Sequence, residues 1–242
     1  MYEARKYRDL FQGKDLVFFN CMVKETDLQI GANRLMECEV RTSVVAYREQ
    51  IETYGRANPT FIRSLTPVEP MPYAPDLVRA MCRAASLAGV GPMAAVAGAI
   101  SEAVGRDMLD HWYTREIIIE NGGDIFMKTD SPRKVGIYAG ASPLSQTFAV
   151  EIRPEDTPLG ICTSAGSVGH SLSFGRADAA VILCRDAALA DAVATATANR
   201  VQREKDLAEA VEFAMGIDGI LGAIAIMGDK MAAAGDVRLV AL

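Results

Sequence analysis

The sequence predicts an α+β fold. Segments with apolar residues at helical spacing stand between groups of short strand-like runs, without a regular βαβ alternation. The middle of the chain strings together apolar runs bounded by glycine and polar turn residues, in the manner of a meander. At 242 residues and 50% hydrophobic content, the chain can bury a large core, in one domain or in two intimately packed halves.

The elements follow in order. "DLVFFNCMV" and "DLQIGA" flank "KETD" and read as a hairpin, the first run rich in aromatic and β-branched side chains and the second alternating. From about Leu35 to Tyr54, the residues Val40, Val44, Val45, Tyr47 and Ile51 recur at helical spacing opposite a charged face. "RANPTFIRSLTPVEPMPYAP" carries five prolines and reads as a surface loop or linker. "APDLVRAMCRAASLAG" predicts a helix capped by Gly89, and "GPMAAVAGAISEAVGRDML" a second one opened by Pro92. The small residues Ala94, Ala95, Ala97, Gly98 and Ala99 allow that second helix a very close neighbour. Strands are predicted at "EIIIENG", "DIFMKT", "KVGIYAG", "QTFAVEI", "GICTSAG", "HSLSFG" and "AAVILCR". The longest helical pattern runs from Asp186, a good N-cap, to about Met215, with a bend or stop near "QREKD". Two apolar strands, "ILGAIAIMG" and "DVRLVAL", end the chain around a flexible "DKMAAAG". The first of these either completes the core or pairs across a homodimer.

Composition excludes several classes. With 31 acidic against 25 basic side chains and a net charge of -6, broad electrostatic attraction to nucleic acid or anionic lipid is not expected. The start of the chain is charged throughout, and no stretch approaches the ~18 uninterrupted apolar residues of a membrane span. A soluble, cytoplasmic protein is expected. The five cysteines are scattered and never form a CxxC pair, and there are only two histidines, His111 and His170. A disulfide framework or a zinc site is therefore not signalled, and any metal should be an oxygen-loving ion.

Three segments carry candidate chemistry. Asp191, Thr195 and Asn199 recur every four residues, so they share one face of an alanine-rich helix, where a carboxylate and a hydroxyl suit Mg²⁺ or Ca²⁺. The plainer alternative has Asp191 complementing the dipole of its own helix while Thr195 bonds back to a carbonyl. "GICTSAGSVGHSLSFG" gathers the hydroxyls of Thr163, Ser164, Ser167 and Ser171 around His170. Its backbone amides can hold phosphates, and its histidine can act as a base or serve structure alone. "AGVGPMAAVAG" presents free amides at a helix start to an anion, or simply packs closely. "ENGGDI" reads as a tight turn at which a ligand can approach the backbone. His111 and Trp112, in "MLDHWYT", read as a helix end packing against the sheet.

The order of these segments is more specific than any one of them. A small-residue helix, then "ENGGDI", "TSAG", "GHSLSFG" and "ADAVATA", from about Gly89 to Val201, resembles the ApbE superfamily of FAD:protein FMN transferases. "KETDLQI", "NPTFIRSLTPV" and "GVGPMAAVAGAI" are similar to the compact branch of that superfamily found in archaea and anaerobic bacteria, along the full chain. The resemblance implies a single domain over residues 1–242, duplicated as sheet-and-helix halves of about 1–115 and 116–242, with a ligand cleft between them. It makes Asp191 and Thr195 ligands of Mg²⁺, joined by a backbone carbonyl of Ala94 or Ala97. Asn121, Gly122, Gly123 and Asp124 would line the nucleotide site, with Thr163, Ser164, Gly169 and Ser171 near the phosphates or flavin, and His170 as the base. The implied partners are FAD, as substrate or ligand, and an acceptor protein whose threonine or serine hydroxyl takes FMN while AMP leaves. Two departures stand out. The family continues from its histidine as His-x-x-Asp-Pro-x-Thr-Gly, whereas this chain reads "HSLSFG", and the lysine of the family's Ala-Lys-Gly is absent. Both bear more on transfer than on nucleotide binding, and they motivate a non-catalytic flavin-binding accessory protein of sulfur or redox metabolism as the alternative.

Overall fold

The computed structural model describes residues 15–166 and 174–242. The first two runs form the hairpin β1 (Val17–Val23) and β2 (Thr26–Ala32), closed by the pair Val23 and Thr26. Helix α1 (Glu37–Ala57) buries Val40, Val44, Ile51 and Tyr54 and places Glu37 and Glu39 in its first turn, where they complement the helix dipole. The proline-rich stretch is more ordered than its composition predicts, because it contains a short helix, α2 (Pro59–Arg63). Pro59 occupies the first turn, where a missing N–H is tolerated, and the buried Phe61 ring meets Tyr54 edge-on at 5.1 Å. Helix α3 (Asp76–Ala88) ends at Gly89 in the left-handed conformation, as expected. A 3₁₀ turn (Pro92–Ala95) leads into α4 (Val96–Asp110).

The strands β3 (Ile117–Asn121), β4 (Asp124–Lys128), β5 (Arg133–Gly136), β6 (Phe148–Ile152), β7 (Leu159–Ser164) and β8 (Ala179–Cys184) follow. The long helical pattern divides into α5 (Ala187–Arg200) and α6 (Leu207–Met215), broken at the charged stretch as predicted. After β9 (Ile220–Met227) comes β10 (Lys230–Gly235), so "DKMAAAG" is a strand and not a flexible link. It is held by a six-residue ladder to β9, which overrides the poor strand propensity of its alanines. The chain closes with β11 (Leu239–Ala241). Most of the strand expected at "HSLSFG" lies outside the described residues.

An eight-stranded antiparallel sheet runs in the order β1-β2-β3-β4-β7-β8-β9-β10, and β11-β6-β5 make a second, three-stranded sheet. One face of the large sheet packs its Leu28, Ile30, Ile119, Phe126 and Ile182 against the helices. The other face packs Ile118, Ile125, Ile161, Val181 and Ile224 against Val150 and Ile152 of the small sheet. Strands β3, β4 and β8 are buried on both faces, which explains why "EIIIEN" and "AAVILC" show no alternation. The strand β9 lies between β8 and β10, with Ile224 and Ile226 buried, so it completes the core.

The large sheet contains the same motif twice. Two antiparallel strands, a helical insertion and two more antiparallel strands make up β1 to β4 around α1–α4, and again β7 to β10 around α5 and α6. Within the first unit β3 pairs with β2 along five residues, and the two units are joined by the pairing of β4 with β7 along four. Among the described residues no single helix is long and apolar enough to cross a membrane.

Candidate functional site

The seam between the two units, where β4 meets β7 beneath the starts of α4 and α5, gathers the polar residues of the interior. On the first unit, Asn121 and Asp124 face each other across the turn Gly122-Gly123, with both glycines at positive φ (70° and 107°). The Gly123 amide donates to Glu120 Oε1 at 2.8 Å. A Cβ on Gly123 would stand 3.4 Å from the Thr163 carbonyl oxygen, so the turn lies directly against the end of β7. Asp124 pairs with Cys162 of β7 and points to the helix side. It is 7% exposed.

The second unit supplies Asp191. Its carboxylate accepts the Gly98 N–H at 2.9 Å, so it caps the first turn of α4, whose own N-cap residue makes no side-chain hydrogen bond. Its own helix is capped separately, by Asp186 Oδ1 accepting the Leu189 N–H at 2.9 Å. Gly98 makes this approach possible: a Cβ there would lie 2.2 Å from the Ala187 carbonyl oxygen and 2.8 Å from Asp191 Cβ. The first turn of α4 is tied to the β3–β4 hairpin as well. The Ala97 carbonyl accepts Ser101 Oγ at 2.8 Å and Asn121 Nδ2 at 3.3 Å, and Ser101 Oγ also lies 3.2 Å from the Asp124 carbonyl oxygen.

The electrostatics are unusual for two acids so deep in the protein. Burial pushes the Asp191 carboxyl up to about 7, against the pull of the Gly98 and Ala97 amides. Burial first, and then the neighbouring Asp191, push Asp124 well above its ordinary range, against the weaker pull of the Cys162 thiol and the Thr163 amide. Burial, reinforced by both carboxylates, raises the Cys162 thiol too. Among the described residues no lysine, arginine or histidine offsets either carboxylate, and Asp124 Oδ1 is enclosed without a hydrogen-bond partner. Two buried acids that repel each other and lack a counter-charge fit a small cation. No three His, Cys, Asp or Glu side chains converge on one ion among the described residues, so the set that fits is mixed: carboxylate, hydroxyl and peptide oxygen. Such donors suit a hard ion.

Of the predicted residues, Asn121, Gly122, Gly123, Asp124, Thr163 and Asp191 come together at this seam. Thr195 lies one turn further along α5, 9% exposed, and Ser164 ends β7, half-buried. Gly169, His170 and Ser171 lie outside the described residues. Asn199 leaves the set, because its Oδ1 accepts the Phe174 N–H at 2.8 Å and so fastens the chain entering β8. Of the two alanines weighed for a carbonyl, Ala97 shares the peptide whose Gly98 N–H meets Asp191, and its oxygen points the opposite way, to Ser101 Oγ and Asn121 Nδ2. His111 and Trp112 are not core residues: His111 is the C-cap of α4 with an exposed side chain, Trp112 is 44% exposed, and the buried residue near this helix end is Met108. The chain leaves the core there because Asn33 Oδ1 accepts the Arg115 and Glu116 amides and turns it into β3.

Sequence reasoning missed Ser101, Cys162 and Glu102. Glu102 Oε2 accepts the Ala187 N–H, the first amide of α5, at 2.6 Å, while its Oε1 pairs with Arg106 at 2.6 Å. Only the four-residue spacing of Glu102 and Arg106 was visible beforehand.

Comparison with known proteins gives the same architecture a lineage. A family model described as "AbpE bacteria" matches residues 8–231. A UPF0280 protein of Methanocella arvoryzae is 41% identical over 213 residues, covering 88% of this chain and 86% of its own. Another, from Methanothrix thermoacetophila, is 42% identical over 198 residues, covering 81% and 82%. The chain belongs to that family, within the ApbE-like superfamily. Among ApbE-like proteins of known structure, the apo flavinyl transferase ApbE of Pseudomonas stutzeri superposes with a TM-score of 0.59 at 15% identity, covering 94% of this chain and 96% of that one. The flavin transferase ApbE of Vibrio cholerae gives 0.60 at 14% identity, covering 91% and 96%. The ApbE protein of Thermotoga maritima gives 0.60 at 13%, covering 90% and 96%. At such identities the likeness establishes the ApbE-like α+β fold.

Proposed function

We propose that the protein is a Mg²⁺-dependent flavin-nucleotide enzyme of the FMN-transferring type, taking FAD and releasing AMP as FMN passes to a threonine or serine hydroxyl of an acceptor protein. The observation that carries this reading is the pair of buried carboxylates, Asp124 and Asp191, without counter-charge at the first turn of α4. The names of the solved neighbours, flavin transferases, supply the reaction class.

In this reading Asp191 and Thr195, with Asp124 beside them, would hold the ion. When bound, Mg²⁺ supplies neutralising charge for a pyrophosphate. The chain's own contribution is placement. Gly122 and Gly123 keep the wall of the site free of side chains, so a nucleotide can approach the backbone. Asn121 and Ser101 hold the Ala97 peptide in line with the hairpin. Thr163 and Ser164 offer hydroxyls at the open end of β7, and His170 is the base that takes the proton of the accepting hydroxyl.

Titrating the protein with FAD, FMN and ADP, each with and without Mg²⁺, while assaying the FAD mixture for AMP, tests the reading. Mg²⁺-dependent FAD binding with AMP release is expected, and no binding of any nucleotide overturns it. The missing Asp-Pro and lysine favour one second reading, a flavin-binding accessory protein without turnover. Tight flavin binding with no AMP after long incubation selects that alternative.

A further inference from the structure

The two helix starts at the seam are bolted to each other, and the second bolt has no part in the chemistry proposed above. Asp191 of α5 accepts the Gly98 amide of α4, and Glu102 of α4 accepts the Ala187 amide of α5. Residues 98 and 102 on one helix thus meet 191 and 187 on the other, in reverse order, across a contact so close that neither Gly98 nor Gly160 has room for a Cβ against Ala187. Glu102 is itself fixed. Arg106 pairs with its Oε1 through Nε at 2.7 Å and Nη2 at 2.6 Å, and the Arg106 guanidinium stands 5.7 Å from the ring centroid of Phe126, two residues beyond Asp124 on β4.

From this geometry we infer that Glu102, braced by Arg106, is a positioning residue: it sets the seat of the Asp191 carboxylate on the first turn of α4. The argument is mechanical. Asp191 is part of α5, whose start is held by Arg83 on Asp186, by the Cys162 thiol on the Ala187 carbonyl and by the Ala187 amide on Glu102, and of these three the last is the one that ties it to α4. Releasing it lets α5 slide by the few tenths of an ångström that separate a good hydrogen bond at Gly98 from a poor one. In its bearing on Mg²⁺ the inference rests on the proposed function, but the seat itself exists in the metal-free chain.

Amide hydrogen exchange on the metal-free protein tests it, with Glu102→Gln and Glu102→Asp as the pair of variants. Glutamine keeps an acceptor oxygen at the same reach, whereas aspartate withdraws it by one methylene and is the milder choice should removal of the side chain prevent folding. In Glu102→Asp the Gly98 amide, which Glu102 does not touch, should exchange at least about tenfold faster, while Glu102→Gln stays within about threefold of the parent. A purely local role for Glu102 would accelerate Ala187 and leave Gly98 unchanged, and that result overturns the inference. Calorimetric Mg²⁺ titration separates it from the functional reading. Loss of binding in Glu102→Asp and in Asp191→Ala supports both; unchanged binding in Asp191→Ala refutes the metal assignment and leaves Gly98 exchange to decide the positioning role.

Discussion

The starts of α4 and α5 are built alike and behave differently. Each receives a carboxylate from the other helix, Asp191 on Gly98 and Glu102 on Ala187, and burial raises both acids. Glu102 meets an arginine and is 15% exposed as a side chain. Asp191 meets no cation among the described residues and sits beside a second buried acid. One arrangement is a finished structural joint, and the other is a joint with a charge left unanswered. A protein gains nothing in stability from the latter, and the proposed function assigns its ion to that difference.

The largest test of this contrast is to remove the unanswered charge. Asp191→Ala should lower Mg²⁺ affinity at least ~100-fold, about 2.7 kcal/mol, in calorimetric titration, whereas Glu102→Gln should leave it nearly unchanged. If the two variants bind alike, the contrast has no functional content. Next in size is Gly98→Ala, whose methyl must displace the Ala187 backbone. It should destabilise the chain by about 1–3 kcal/mol in urea melts and weaken Mg²⁺ binding with it, since both helix starts move.

Acidity sharpens the comparison further. Burial pushes the Asp191 carboxyl up to about 7 in the folded chain against ~3.9 in an unfolded one, so the folded state holds a proton through that window that the unfolded state has released. The stability this confers is full below about pH 4 and is lost as pH rises through 7. The metal-free melting temperature should therefore fall between pH 5 and pH 8, and the increment added by Mg²⁺ should grow over the same range, because proton and ion compete. Asp191→Asn should flatten both trends. The smallest expected effect is Asp124→Asn, which relieves the repulsion and should stabilise the metal-free protein by about 1 kcal/mol at pH 8; a loss of stability would show that the two acids do not oppose each other.

Much of this was legible in the sequence. The hairpin at "ENGGDI", the Gly89 cap and the face carrying Asp191 and Thr195 follow from local chemistry, which a linear pattern records. What was not legible was across-chain. Asp191 complements the dipole of α4 instead of its own helix, and nothing local to either segment shows that the two starts meet. Asn199 shares the face of Asp191 by spacing yet serves the chain before β8, because side-chain reach and partner, not periodicity, decide a contact. Alanine-rich "MAAA" hid β10 because its ladder, and not its side chains, makes it a strand.

The seam itself has a consequence for biosynthesis. The α4 amides and Asp124 belong to the first β-β-helix-β-β unit, and Asp191, Thr195 and Thr163 to the second. During vectorial synthesis the first unit emerges with an uncapped helix start and only one of the two acids. The two acids come together late, when α5 docks, so under the proposed function a nascent or truncated chain lacks the seat for the ion.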